Sequence, residues 1–352
     1  MIPSPAKAEA QLQQMLNASA HVGPAHDLLV SLTEHHSALT RFANNTIHQN
    51  VAETTSQIMA RVDLPDPPDR NDRGQSRRGL ATTTQLTDEA IRSVVSRAVE
   101  LAKRAPPRPD QPPLPGPQHY RMIERWDHAT AESSPAERGE AVARAIRQVE
   151  RAGLTAAGYL TTSSAVTALA NSNSLAASMP STFAEFAITV MAPGSSGWAK
   201  AKAPALSELA IEQLTEQAIR TAERGREPRE LKAGNYPVIL TPAAVADLVS
   251  FLASDFSGLA VLEQESCLTG KLGQRLFGSN ITLFDDVGHP LQMGYPFDGE
   301  GVSRQSVTLI EEGVVRSFVY GLASAKKAGV MPTGHGSAAE PDDYPLNLVM
   351  QG

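Results

Sequence analysis

Apolar positions along this chain change period several times, and each change predicts an element. Ile91, Val94, Val95, Ala98, Leu101 and Ala102 recur at helical spacing behind Thr87, Asp88 and Glu89, predicting a capped helix with one buried stripe. Ser134, Pro135 and Glu137 form a capping-box start for another helix, which ends near Gly153. The opening residues predict an amphipathic helix, and 207–225 a further one. Segments of β character lie between: 38–64, with Asn44-Asn45 placed to turn one strand into the next, then 154–164, 165–172, 182–192 and 198–203. Beyond Asn235 a short strand precedes a helix from Thr241 to Gly258. Its Val245, Leu248, Val249 and Leu252 are spaced as a buried stripe, which predicts a core helix. A hairpin turning at Glu312-Gly313 and a brief helix stopped by Gly329 follow.

Two stretches break the pattern. Pro106 to Pro117 is too dense in proline for helix or central strand, and reads as a semi-rigid spacer without a ligand role. Residues 66–79 read as a solvated loop in which Arg70, Arg73, Arg77 and Arg78 interleave with Asp66, Asp69 and Asp72. The expected fold class is α+β. An N-terminal α+β domain (1–105) and a central one (118–232), sandwich-like units with mixed sheets, flank the linker (106–117). A β-rich C-terminal domain (233–352) follows.

Composition narrows the function classes. With 41% hydrophobic and 20% charged residues over 352 positions, the chain is long enough to bury a core without staples. No apolar run approaches a membrane span and the N-terminus lacks a signal-peptide pattern, so a cytoplasmic location is expected, with no membrane partner. The net charge of −7 argues against direct nucleic-acid contact. A single cysteine, Cys267, excludes an intrachain disulfide and any cysteine-rich zinc knuckle.

Candidate chemistry is sparse. Asp285 and Asp286 lie beside His289, but adjacent residues on a strand face opposite ways, so turn capping is favoured over catalysis. His335 stands in a glycine-rich segment and reads as part of a flexible loop. His35 and His36 lack ligand spacing and read as surface residues, while His48 reads as an ordinary strand histidine. Cys267 has no activating neighbour in sequence and reads as a buried, inert thiol.

RFANNTIHQN at 41–50, the block from Leu283 to Gly329 containing PFDGEG, and NLVM at 347–350 together resemble the TldD/PmbA family of metalloproteases, once described as modulators of DNA gyrase. The resemblance runs from about Ala25 to the end of the chain. In the TldD branch it implies an HExxxH helix and a later cysteine that hold zinc. The matching stretch here, Val249 to Ser254, reads VSFLAS, and no HExxH or HExxxH occurs anywhere. The resemblance is therefore to the PmbA/TldE branch. It implies a non-zinc subunit that shapes a peptide channel beside a zinc-bearing TldD-like partner, with peptide as substrate. No catalytic or metal-binding residue is assigned to this chain, its substrate-binding residues are unknown, and zinc is expected only in the partner. Family members continue past NLVM, so an incomplete C-terminal domain is expected. The competing expectations are a regulatory or interaction protein that has left the peptidase context, or an inactive fragment.

Overall fold

The computed structural model describes residues 5–19, 27–65, 76–108, 111–340 and 342–352. Its largest element is a six-stranded sheet built from β1 (Asp27–Ala43), β2 (Thr46–Pro65), β3 (Ser76–Thr83), β4 (Thr155–Asn171), β5 (Ala176–Ala192) and β6 (Ser195–Ala203). The strand order is β3-β2-β1-β4-β5-β6, and every pairing is antiparallel. The expectation of mixed sheets is corrected here. Short connections such as Asn44-Asn45 and Pro193-Gly194 reverse the chain directly, and the long excursion between β3 and β4 also returns antiparallel. Asn44 and Asn45 both have positive φ, 50° and 56°, as a two-residue hairpin of matching twist requires. The segments read separately at 154–164 and 165–172 form one uninterrupted strand, β4.

Helices cover one face of this sheet. α2 (Asp88–Arg104) packs on β2 and β3 and α1 (Pro5–Ser19) beside it on β1, β4 and β5, in one core that joins Leu28, Val30, Leu32, Ile58, Ala60 and Val62 with Ile91, Val95 and Ala98. A side chain of this size contributes about 1.5–3 kcal/mol when fully buried. α3 (His128–Ala131) is a single turn. α4 (Pro135–Arg151) and α5 (Ile211–Arg224) pack on β4, β5 and β6 around Phe42, Leu160, Phe186 and Ile188. The helix starts follow the sequence reading. Thr87 Oγ1 accepts the Ala90 amide, and Ser134 and Glu137 form the complete reciprocal capping box.

The last third holds α6 (Pro242–Ala253), α7 (Gly258–Leu262), α8 (Leu322–Ala328) and four short strands, β7 (Thr282–Asp285), β8 (Val307–Glu311), β9 (Val314–Val315) and β10 (Leu348–Gln351). The strands form an antiparallel sheet in the order β10-β7-β8-β9, with much irregular chain around it. Glu312-Gly313 turns β8 into β9 through two positive-φ residues. This region packs on the opposite face of the large sheet, where Phe297 and Ala338 meet Leu29, Leu169, Leu175 and Met179.

Three expectations change. The α6 stripe is not a core stripe. Val249 and Leu252 lean on the core beneath β8, but Leu248 is 60% and Phe251 81% exposed, and among the helix residues Ala253 alone is buried. Val238 (71%) and Ile239 (101%), in the segment before the helix, face solvent as well. Nor is the proline-rich stretch a spacer standing off the fold. Leu114 is buried against the sheet, its amide donates to Asp27, and Asn171 and Asn173 donate to the carbonyls of Pro115 and Leu114. Proline leaves those carbonyls without helix or sheet partners, so asparagine side chains take them instead. Of the basic cluster, Arg70 and Arg73 lie outside the described residues, as do Asp66, Asp69 and Asp72. Arg78 is buried in an ion pair on β3 rather than solvated.

Candidate functional site

Alternation along the strands divides the large sheet into a helix-covered face and a second, polar face. The register places Tyr159 between Arg41 and Ala187, Ser163 between Ser37 and Phe183, and Glu185 between Thr161 and Lys202, all on that second face. The C-terminal region covers only the end near Leu29 and Leu169. Toward the β1–β2 turn the face is open, and a groove there is lined by Arg41, His48, Tyr159, Ala187, Thr189 and Trp198.

Side chains on the open face are linked in one network. Tyr159 Oη donates to Glu185 Oε1 at 2.5 Å, and Lys200 Nζ lies 3.1 Å from the same oxygen. Burial alone would raise the Glu185 carboxyl, but Tyr159 and Lys200 outweigh it and hold it below its ordinary value. Lys202 Nζ sits 3.8 Å from the centroid of the Phe183 ring, a cation–π contact. His35 stacks on the same ring at 6.4 Å, and its Nε2 meets the buried Ser163 hydroxyl. Burial, with help from His36 and Lys202, holds His35 below its ordinary pKa against the pull of Glu53. His35 and His36 are thus half-buried members of a sheet face, not plain surface residues. His48 is exposed at the groove.

A second polar cluster fastens the C-terminal region to the sheet. Arg61 Nε donates to Asp63 Oδ2 at 2.9 Å, while its Nη1 reaches Glu300 Oε1 at 3.4 Å. Arg78 Nε donates to the other Asp63 oxygen at 2.7 Å. Glu300 Oε2 accepts the Leu322 amide, and Asp298 accepts the amides of Glu300, Val302 and Gly336. Tyr120 Oη, from the segment after the proline-rich stretch, donates to the Gly301 carbonyl at 2.8 Å. Burial and then the Asp298 charge push that phenol up to about 12. With its carboxylate oxygens engaged by backbone amides or guanidinium groups, this cluster positions chain segments.

Burial, and then the neighbouring Glu300, push Asp298 from 3.8 up to about 7. In the fold Asp298 therefore keeps a proton that the unfolded chain has already lost between about pH 4 and 7. Its contribution to stability is present at the low end of that window and is lost as pH rises through 7. Unfolding midpoints measured from pH 5 to 8 are expected to fall with rising pH. Asp298→Asn should flatten that slope even while lowering every midpoint, and an unchanged slope would remove Asp298 as its source.

The remaining sequence candidates separate. Asp285 and Asp286 do diverge, as the strand geometry predicts. Asp286 caps a turn by accepting the Gly288 amide at 3.0 Å and pairs with Arg121. Asp285 is fully buried; it accepts the Asn347 amide at 2.6 Å and lies 3.1 Å from His335 Nε2. Burial would raise the Asp285 carboxyl, but His335 and the Asn347 amide prevail and hold it low. His335 is therefore corrected from a flexible loop residue to one 3% exposed, held between Asp285 and Thr333. His289 packs edge-on against Phe284, apart from that pair. Cys267 is corrected as well, being exposed; burial of part of its side chain and then Asp255 push its thiol up, which disfavours the reactive thiolate.

Residues that sequence reasoning passed over include Arg61, Asp298, Glu300, Glu185, Lys200 and Lys202. PFDGEG carries two of them, and the alternation Trp-x-Lys-x-Lys at 198–202 was a readable sign of a strand with one charged face. Among the described residues no three His, Cys, Asp or Glu side chains converge as a metal-binding group. At Val249 to Ser254 the helix presents aliphatic, aromatic and hydroxyl side chains, which do not fit zinc. No helix is long and apolar enough to cross a membrane.

Comparison with known proteins agrees with this architecture. Residues 233–352 match the PmbA/TldA metallopeptidase C-terminal domain. The chain is 27% identical over 281 residues to metalloprotease PmbA of Escherichia coli O157:H7, covering 74% of this chain and 60% of that protein. It is 29% identical over 190 residues to an uncharacterized protein of Methanocaldococcus jannaschii, covering 52% of this chain and 44% of that protein. The chain thus spans 44–60% of the length of these curated relatives. The crystal structure of TldE from Thermococcus kodakarensis superposes with a TM-score of 0.85 at 21% identity, covering 97% of this chain and 78% of that one. Shared fold over nearly the whole chain and a matched C-terminal domain point the same way: residues 233–352 match the C-terminal domain of PmbA/TldA metallopeptidases, and the chain as a whole is similar to PmbA in sequence and to TldE in fold.

Proposed function

We propose that this chain is the non-zinc, TldE-like subunit of a two-component metallopeptidase, with the open face of its large sheet forming part of the wall that holds extended peptide. The observation that carries this reading is α6. Where the zinc-bearing branch places HExxxH, this helix has VSFLAS, leaving no imidazole to hold zinc and no carboxylate to activate water. The chain's own residues therefore bind and orient while hydrolysis belongs to a TldD-like partner. The solvent-facing Leu248 and Phe251, three residues apart on α6, support an assembled state, since large apolar side chains exposed on one helix suit an interaction surface.

Purification of this chain alone, and together with an HExxxH-bearing TldD-type chain, tests the reading. The chain alone is expected to bind no stoichiometric zinc and to leave unfolded peptides intact. The mixture should co-elute and hydrolyse peptide in a chelator-sensitive way. Zinc-dependent proteolysis by the isolated chain would refute the assignment. A chain that neither associates with the partner nor alters its activity would favour the regulatory reading.

A further inference from the structure

β6 is an edge strand. Among the described residues it pairs only with β5, and its outer backbone edge carries no hydrogen-bonded partner. Its two faces differ sharply. Gly197, Ala199 and Ala203 are buried on the α5 side, where a side chain at Gly197 would collide with the backbone of Ala218 and Ala222. α5 thus seals one face without crossing to the other. On the open face Trp198, Lys200 and Lys202 alternate, all exposed.

Positive charge collects at the β6 edge of that face. Lys200 pairs with Glu185, but among the described residues Lys202 has no carboxylate within ion-pair distance and rests on the Phe183 ring instead. Arg41 adds a third cation at the groove. At the β6 end of the face Glu185 is the carboxylate in contact with these lysines, while Glu53 lies across the sheet on β2 near His35, so the edge itself carries local positive charge in a chain of net charge −7. Lys200 and Lys202 are two residues apart on one strand, so their Cα atoms are separated by roughly 6.8 Å, which is also the repeat of alternate residues in any extended peptide.

We propose that an acidic peptide adds to the outer edge of β6 as a seventh strand, its alternate carboxylate side chains facing Lys200 and Lys202. Backbone hydrogen bonds hold such a strand without regard to sequence, and the two lysines supply the selection. A second copy of β6 fits less well, because the antiparallel self-pairings centred on Lys200 or Ala201 would set lysine against lysine. The inference deepens the proposed function, on which it rests, by naming acidic extended peptide as the class this wall receives.

Fluorescence anisotropy on the isolated chain tests it, using a fluorescein-labelled peptide of alternating glutamate and valine and a matched lysine–valine peptide. The glutamate peptide should bind roughly tenfold tighter at low salt, as two favourable cross-strand pairs against two repulsive ones imply. Its affinity should fall as salt rises. Lys200→Glu with Lys202→Glu should reverse the preference, with an unchanged melting curve showing the fold intact. N-methylation of the peptide amides that face β6 should abolish binding. Equal affinity for both peptides, a preference surviving the double substitution, or indifference to N-methylation would each overturn the proposal. Concentration-dependent dimerisation lost in the double variant would also overturn it, by assigning the edge to a second copy. Because no zinc partner is present, these outcomes are independent of whether the chain assembles into a peptidase.

Discussion

Arg61→Ala is expected to destabilise the protein by about 3–5 kcal/mol, the cost of leaving a buried charge without its partner. Arg61 is 2% exposed and lies between two carboxylates that are themselves buried, Asp63 and Glu300. Asp63 would keep Arg78, which holds its other oxygen at 2.7 Å. Among the described residues, Glu300 would keep only the Leu322 amide, with no cation left in contact. The damage should therefore appear where the PFDGEG loop meets the sheet, as faster hydrogen exchange at Leu322 and Gly336. Urea unfolding measures the loss, and a loss below 1 kcal/mol would mean that water reaches Glu300 freely. Glu300→Gln added to Arg61→Ala should recover part of the stability, because the orphaned charge is then gone.

Gly79→Ala should cost roughly 3 kcal/mol, toward the upper end for overpacking because backbone, not a movable side chain, occupies the space. Gly79 lies in β3 beneath α2, and a Cβ there would land on the Ala98 carbonyl oxygen and the Ala102 amide nitrogen. The helix would have to lift from the sheet. That would strip contacts from Val95 and Ala98, both completely buried. Gly139, where an added Cβ meets nothing within 4 Å, supplies the control: Gly139→Ala in the second turn of α4 should stabilise slightly, by helix propensity. Thermal melts of both variants check the pair, and equal midpoints would show that α2 does not sit tightly on β3.

Much of the secondary structure was legible because local rules act within a few residues. The Thr87 cap, the Ser134–Glu137 box, and the turns at Asn44-Asn45 and Glu312-Gly313 all stand where their chemistry places them. α6 shows the limit of the same reasoning. Its helical limits and its Thr241 cap follow from sequence, yet its apolar stripe predicted burial that the fold does not provide. Periodicity says which side chains share a face; it does not say whether another layer lies over that face. His335 and Cys267 invert in the same way, the glycine-flanked histidine being buried and the thiol exposed.

The sequence by itself determined the helix caps and the hairpin turns, that the chain resembles a peptidase family, and that α6 lacks zinc ligands, because each of these is read from residues near one another along the chain. Tertiary structure alone decided that Arg61 and Glu300, 239 residues apart, meet in a buried pair. It also decided that β6 lies at the sheet edge with Lys200 and Lys202 on its open face. Strand order and the packing of one layer on another are set by contacts between distant segments, and no short-range pattern encodes which segments will meet.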